Sequence, residues 1–181
     1  MNYFKIIHKY IPPNSKIYPI YITHCHMVTQ KSLKIARRLE LNESSMRSIE
    51  EAAMLHDIGI IKTDTPDLHC VGKLPYLCHG PEGRAILEAE GYPKHALVAE
   101  RHIGVGLRVV DIIADKSPLP HRDMTPQCVE EEIISYADLF YSKGKKKLWK
   151  AKSIDKVRRT VTKWGAHQLS VLEDWIERFE K

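Results

Sequence analysis

One histidine and one aspartate stand side by side in the stretch "AAMLHDIGIIKTD", residues 52 to 64. On a helix, His56 and Asp57 point about 100° apart, so they cannot chelate one ion as neatly as an i, i+4 pair. The imidazole could bind one ion while the two carboxylate oxygens span that ion and a second. A capping histidine beside a solvated acid has the same local sequence, so the pair becomes informative only with further ligands.

Further metal-binding residue types recur where helices are expected to begin or end. They are His24 in "YITHCHMVTQKSLKIA", His79 in "LCHGPEGRAIL", His102 in "AERHIGVG" and Asp138 in "EEIISYADLFYSK". The order H…HD…H…H…D across residues 20 to 145 resembles the HD superfamily of metal-dependent phosphohydrolases, specifically its branch with the motif HDIG. This resemblance predicts a metal centre built from several separate helices.

The resemblance implies a ligand set, which can be assigned position by position. The implied ligands are His24, His56, Asp57, His79, His102 and Asp138. Two histidines between the HD pair and the last aspartate are typical of members that hold two ions, so we expect two. A single ion, with His79 and His102 in packing roles, stays open, and so does His26 in place of His24.

The expected metals are transition metals, because four imidazoles and two carboxylates are softer than the oxygen cage that Mg²⁺ or Ca²⁺ prefers. Iron or manganese is favoured over zinc, cobalt or nickel. Two ions bridged by Asp57 would activate water for attack on phosphorus. We expect Lys62 and Arg122, from a wider set, to bind phosphate. His121 is expected to protonate the leaving group or to complete a metal shell. The wider set of cations is Lys62, Lys73, Arg84, Arg101, Arg122 and Lys143.

The resemblance suggests a small phosphorylated substrate: a nucleotide, a dinucleoside polyphosphate or a related phosphate ester. A di-iron oxygenase with similar ligands is the first alternative. The second is a nucleic-acid-binding module, which the basic run suggests: residues 143 to 163 hold ten Lys or Arg and one acid. Because the implied ligand set is complete for a metal site, nucleic acid is the less expected partner. Lys145 to Lys147 are expected in a solvated loop.

Helical periodicity dominates the chain and predicts an all-α fold, a compact HD-domain bundle of about six to eight helices. We expect one domain over residues 1–181, with a core at about 20–145 and a helical extension at about 146–181. The predicted helices include about Ile22 to Leu41, Glu43 to Asp57 ending at Gly59, a helix opened by Thr125-Pro126, and a last one over about Ser153 to Phe179. This last helix should be bent at Gly165 and bury Trp164.

Composition is ordinary for a soluble protein, with 43% apolar and 28% charged residues. The chain shows neither a membrane-spanning run nor a signal peptide, so we expect a cytoplasmic protein. Its four cysteines lack C-x-x-C spacing and are expected to be reduced thiols. The oligomeric state stays open, with a homodimer as one alternative.

Overall fold

The computed structural model describes residues 1–144 and 148–181, so the predicted solvated loop at Lys145 to Lys147 lies outside the described residues. The described residues form nine α-helices and one small antiparallel sheet. The helices are α1 (Tyr3–Tyr10), α2 (Tyr18–Arg38), α3 (Glu43–Leu55), α4 (His79–Ala89), α5 (Pro93–Arg101), α6 (Val109–Ala114), α7 (Val129–Asp138), α8 (Ile154–Val161) and α9 (Ala166–Phe179). The strands are β1 (Asp64–Thr65) and β2 (Cys70–Val71). The prediction of an all-α fold is confirmed.

Two apolar clusters form the core and hold the site-bearing helices together. In the first, α2, α3 and α7 pack with the C-terminal helices through residues such as Val28, Ile49, Ile133, Val157 and Trp175. The second joins α1 to the N-terminal part of α2 and to α4 and α5. Since α2 belongs to both clusters, burial of apolar surface on either side fixes its position.

The first two long helices follow the predicted pattern with shifted boundaries. Asn42 caps α3 as expected, because its side chain accepts a hydrogen bond of 3.0 Å from the backbone N–H of Ser45. Helix α2 begins four residues earlier than the predicted Ile22, since Pro19 lies in its first turn, where a missing N–H costs nothing. Helix α1 was not predicted.

The C-terminal region differs more from the prediction. The expected single helix over Ser153 to Phe179 is two helices, α8 and α9, because Gly165 takes a φ of +137° that ends helical geometry. The predicted burial of Trp164 is wrong, since its side chain is 47% exposed. The helix expected to open at Thr125-Pro126 begins only at Val129.

Gly59 has a different role from the predicted helix-terminating glycine. It lies in a 3₁₀ helix, Ile58–Lys62, and is not among the described glycines with positive φ. A Cβ built on Gly59 would lie 2.1 Å from the carbonyl oxygen of His79 and 2.3 Å from the backbone nitrogen of Gly83. The absent side chain therefore allows α4 to approach the His56–Asp57 turn, and that approach positions His79.

Among the helices of the described residues, none combines the length and the apolar character that crossing a bilayer requires.

We expect Gly59→Ala to destabilise the protein by about 3 kcal/mol or more, because backbone atoms, which cannot move aside, occupy the space of the new methyl group. Gly144→Ala is the matched control, since no atom of the described residues lies within 4 Å of its Cβ position. Urea unfolding of both variants measures the difference. Equal stability of the two would contradict this role for Gly59.

Candidate metal centre

The six residues of the predicted ligand set converge in one cluster. They are His24, His56, Asp57, His79, His102 and Asp138, all of which are buried except Asp138, whose side chain is 17% exposed. They come from α2, α7 and the ends of three further helical segments. His26, the alternative to His24, is exposed on α2.

The ring nitrogens divide between the two oxygens of Asp57. Oδ2 lies 3.2 Å from Nε2 of His24 and 3.5 Å from Nε2 of His56. Oδ1 lies 3.5 Å from Nε2 of His79 and 3.5 Å from Nε2 of His102. Asp138 joins the first group, with its Oδ1 at 3.0 Å from Nε2 of His24. His24, His56 and Asp138 form one group of a size that could hold a cation, and Asp57, His79 and His102 form a second. Oδ2 of Asp57 also lies beside the first group.

Backbone carbonyl oxygens at the ends of helical segments hold the rings of three histidines in place. His56, His79 and His102 each follow a helical segment, and each Nδ1 contacts the carbonyl oxygen three residues earlier. These distances are 2.7 Å to Ala53, 2.6 Å to Tyr76 and 2.9 Å to Ala99. A carbonyl only accepts, so each Nδ1 carries a proton, and in the neutral form of each ring the unprotonated nitrogen is the Nε2 that faces the cluster.

This arrangement fits bound cations. Nε2 of His79 and Nε2 of His102 face each other at 3.2 Å, and two lone pairs at that distance repel unless a cation lies between them. Burial lowers the pKa of His79 to about 3 and outweighs the attraction of Asp57, so this ring stays neutral at physiological pH. Among the described residues, Oδ1 of Asp57 and Nε2 of His24 and His56 are buried without a hydrogen-bond partner.

Among the described residues, Lys143 brings a positive charge into direct contact with this cluster. Its Nζ lies 2.7 Å from Oδ2 of Asp57 and donates a hydrogen bond of 3.0 Å to the hydroxyl of Tyr76. Burial raises the pKa of Asp57, but the positive charge of Lys143, with the imidazoles of His56, His102 and His24 beside the carboxylate, outweighs burial and holds that pKa well below its usual range. Burial lowers the pKa of Lys143, yet Asp57, Tyr76 and Asp138 together raise it well above its usual value. The carboxylate and the ammonium are therefore both charged.

A cavity of about 340 Å³ opens onto the cluster. Its floor includes His79, His102 and Asp138, and its walls come from the loop after α7 and from α8. This volume is within the range of roughly 300–1,000 Å³ that is typical of small-molecule sites. A ligand in the cavity would lie directly against the cluster.

The other predicted catalytic residues are not among the described residues that line this cavity. Lys62 and His121 are exposed, and the guanidinium of Arg122 forms an ion pair with the buried Glu100. Their roles toward a substrate stay predictions. Lys143 belonged to the wider set of predicted cations but was not favoured as a phosphate-binding residue. The sequence signal that could have identified it is its position five residues after Asp138.

With the fold and the cluster described, comparison with known proteins gives the family. The family model described as "HD domain" matches residues 21–142, which include every residue of the predicted ligand set. The chain therefore belongs to the HD domain family. Two solved structures agree in fold: the HD domain of the phosphodiesterase PgpH from L. monocytogenes, alone and in complex with cyclic-di-AMP. The domain alone superposes with a TM-score of 0.54 and 17% identity, over 96% of this chain and 94% of its own. The complex superposes with a TM-score of 0.54 and 18% identity, over 97% of this chain and 83% of its own.

The curated relatives match this chain over only part of their own length. The uncharacterized protein MJ0778 of Methanocaldococcus jannaschii is 31% identical over 65% of this chain and 63% of its own length. A tRNA (cytidine(56)-2'-O)-methyltransferase of Picrophilus torridus is 28% identical over 76% of this chain but 38% of its own length. A tRNA (cytidine(56)-2'-O)-methyltransferase of Thermoplasma volcanium is 24% identical over 86% of this chain and 41% of its own length. The matches therefore span between 38% and 63% of the relatives' lengths.

We expect Lys143→Met to bind Mn²⁺ about tenfold more tightly than the wild type, because it removes a positive charge that lies beside Asp57. Lys34→Met, an exposed position on α2, is the control and should leave the affinity unchanged. Isothermal titration of chelator-treated protein measures both. Unchanged or weaker binding by Lys143→Met would contradict the assignment of Asp57 as a ligand beside this ammonium.

Proposed function

We propose that the protein is a metal-dependent phosphohydrolase whose centre holds two divalent transition-metal ions bridged by Asp57. The observation that supports this most directly is the division of the ring nitrogens. The nitrogens of His24 and His56 lie near one oxygen of Asp57, and those of His79 and His102 lie near the other. When bound, two such ions supply a hydroxide nucleophile at neutral pH and offset charge on phosphoryl oxygens. Iron or manganese suits this donor set best.

The chain's own residues would orient and neutralise the substrate. His24, His56 and Asp138 would hold one ion, His79 and His102 the other, and Asp57 would contact both. The ammonium of Lys143 lies at the cavity and would donate to a phosphoryl oxygen of the substrate. The Tyr76 hydroxyl, which already accepts a hydrogen bond from Lys143, would keep that ammonium close to the cluster.

The proposed substrate is a small phosphorylated molecule, with a nucleotide or a dinucleoside polyphosphate first. The cavity volume suits a molecule of this size, and one structural neighbour was solved with cyclic-di-AMP bound. Two alternatives are retained. A di-iron oxygenase would use similar ligands, and the relatives named as tRNA methyltransferases, together with the basic run at residues 143 to 163, favour an RNA-binding role as the second.

The test combines metal analysis with a substrate screen. Protein purified without chelator should contain close to two transition-metal ions per chain, and nucleotides or dinucleoside polyphosphates should release phosphate or nucleotide only when metal is present. Asp57→Asn should lower the metal content to one ion or fewer and lower kcat/KM by about a thousandfold or more. Asp155→Asn, an exposed acid on α8, is the matched control.

Each alternative has its own outcome in this experiment. Oxygen consumption without phosphate release would replace the hydrolase with an oxygenase. Salt-sensitive tRNA binding that persists in Asp57→Asn, without any hydrolysis, would replace it with an RNA-binding module.

Lys143→Met should lower kcat/KM for the phosphate ester by about 10- to 1,000-fold although it retains metal, because the substrate loses a charged donor in a buried site. Lys62→Met tests the competing expectation from the sequence. A larger loss of kcat/KM in Lys62→Met than in Lys143→Met would reverse the two assignments.

A further inference from the structure

The outer wall of the cavity comes from residues beyond the family match. That match ends at residue 142, whereas the cavity is lined in addition by Lys143, Lys152, Val157, Thr160, Val161 and Trp164. The ligand cluster therefore lies within the part that resembles the family, and this wall comes from the C-terminal segment. A segment in this position can determine which phosphate ester enters.

The wall is anchored to the same helix that carries Asp138. Val157 and Val161 of α8 are buried in the core that contains α7. The backbone nitrogen of Lys152 donates a hydrogen bond of 2.8 Å to the carbonyl oxygen of Phe140, and its ammonium donates one of 2.8 Å to that of Leu139. The position of the wall relative to the ligand cluster is therefore set by packing and hydrogen bonds.

Trp164 is the aromatic side chain on this wall, and it is 47% exposed at the cavity. The six-membered part of its indole lies against Gly104. A Cβ built there would be 3.2 Å from Cζ3, and Gly104 takes a φ of +63°. Backbone that lacks a side chain thus supports the ring while part of it remains open to a ligand. An exposed indole in the wall of a cavity that opens onto charged residues is suited to stacking on a planar group.

The spacing from the indole to the ligand cluster suits a nucleotide. Gly104 is two residues after His102, so their Cα atoms are at most about 7 Å apart. A phosphate at the cluster, near Lys143 and Lys152, would leave the sugar and base extending toward Trp164. A phosphate ester without an aromatic group has no planar surface that could stack on the indole.

We propose that Trp164 determines specificity by stacking on the base of a nucleotide whose phosphate lies at the His102 side of the ligand cluster. This inference rests on the proposed function, because it assumes that the phosphate binds at the metal centre. It assigns to residues 152 to 164 the recognition of the nucleoside, a role separate from metal binding. The substrate class is a nucleoside phosphate rather than a sugar phosphate or a polyol phosphate.

The experiment measures binding to the manganese-loaded protein by isothermal titration with two probes. The first is a non-hydrolysable AMP analogue with a methylene group in place of the ester oxygen, and the second is inorganic phosphate. Trp164→Leu should weaken binding of the AMP analogue about 5- to 150-fold, as expected for loss of base stacking, and leave phosphate binding unchanged. Trp164→Phe should recover most of the affinity. Trp149→Leu, which removes an indole that is 66% exposed, is the matched control.

The outcomes separate this inference from the proposed function. If Trp164→Leu binds the AMP analogue within twofold of wild type, or weakens phosphate binding equally, the inference is overturned even when the wild-type enzyme hydrolyses nucleotides. If Trp164-dependent binding of the analogue occurs but no phosphate ester is hydrolysed, the inference stands and the proposed hydrolase function fails.

Discussion

A buried carboxylate requires cations or hydrogen bonds, and Asp57 is buried with four imidazole nitrogens between 3.2 and 3.5 Å from its two oxygens. Three of those rings, at His56, His79 and His102, are held by backbone carbonyls in the tautomer that turns an unprotonated nitrogen toward the cluster. Because carboxylate oxygens and nitrogen lone pairs repel one another, the arrangement needs positive charge. Lys143 provides one such charge, and the proposed metal ions would provide the rest.

The fold can be understood as the means of bringing these side chains together. Helices α3 and α5 end so that His56 and His102 follow their last turns, where unpaired carbonyls are available to fix the rings. Helix α4 begins with His79 and can lie against the HD turn only because Gly59 lacks a side chain. Helix α2, packed in both apolar clusters, contributes His24 from its interior. Core packing and the ligand cluster thus depend on the same few contacts.

Apolar periodicity, a local signal, predicted the helical class, and the resemblance of the ordered histidines and aspartates to the HD superfamily predicted the convergence of the six ligand positions. The sequence could not distinguish the orientations of His24 and His26, which differ by two positions on one helix. It also favoured Lys62 and Arg122 over Lys143, since the pairing of Arg122 with Glu100 and the burial of Lys143 are long-range contacts. At Gly165 the predicted bend is a full break between α8 and α9, because this glycine takes a φ of +137°.

The central claim is that Asp57 bridges two ions. A crystal of the protein grown with Mn²⁺ and measured at the manganese absorption edge tests it directly. The account predicts two anomalous peaks about 3.5 to 4 Å apart, one beside each oxygen of Asp57. A single peak, or peaks that do not contact Asp57, would contradict it.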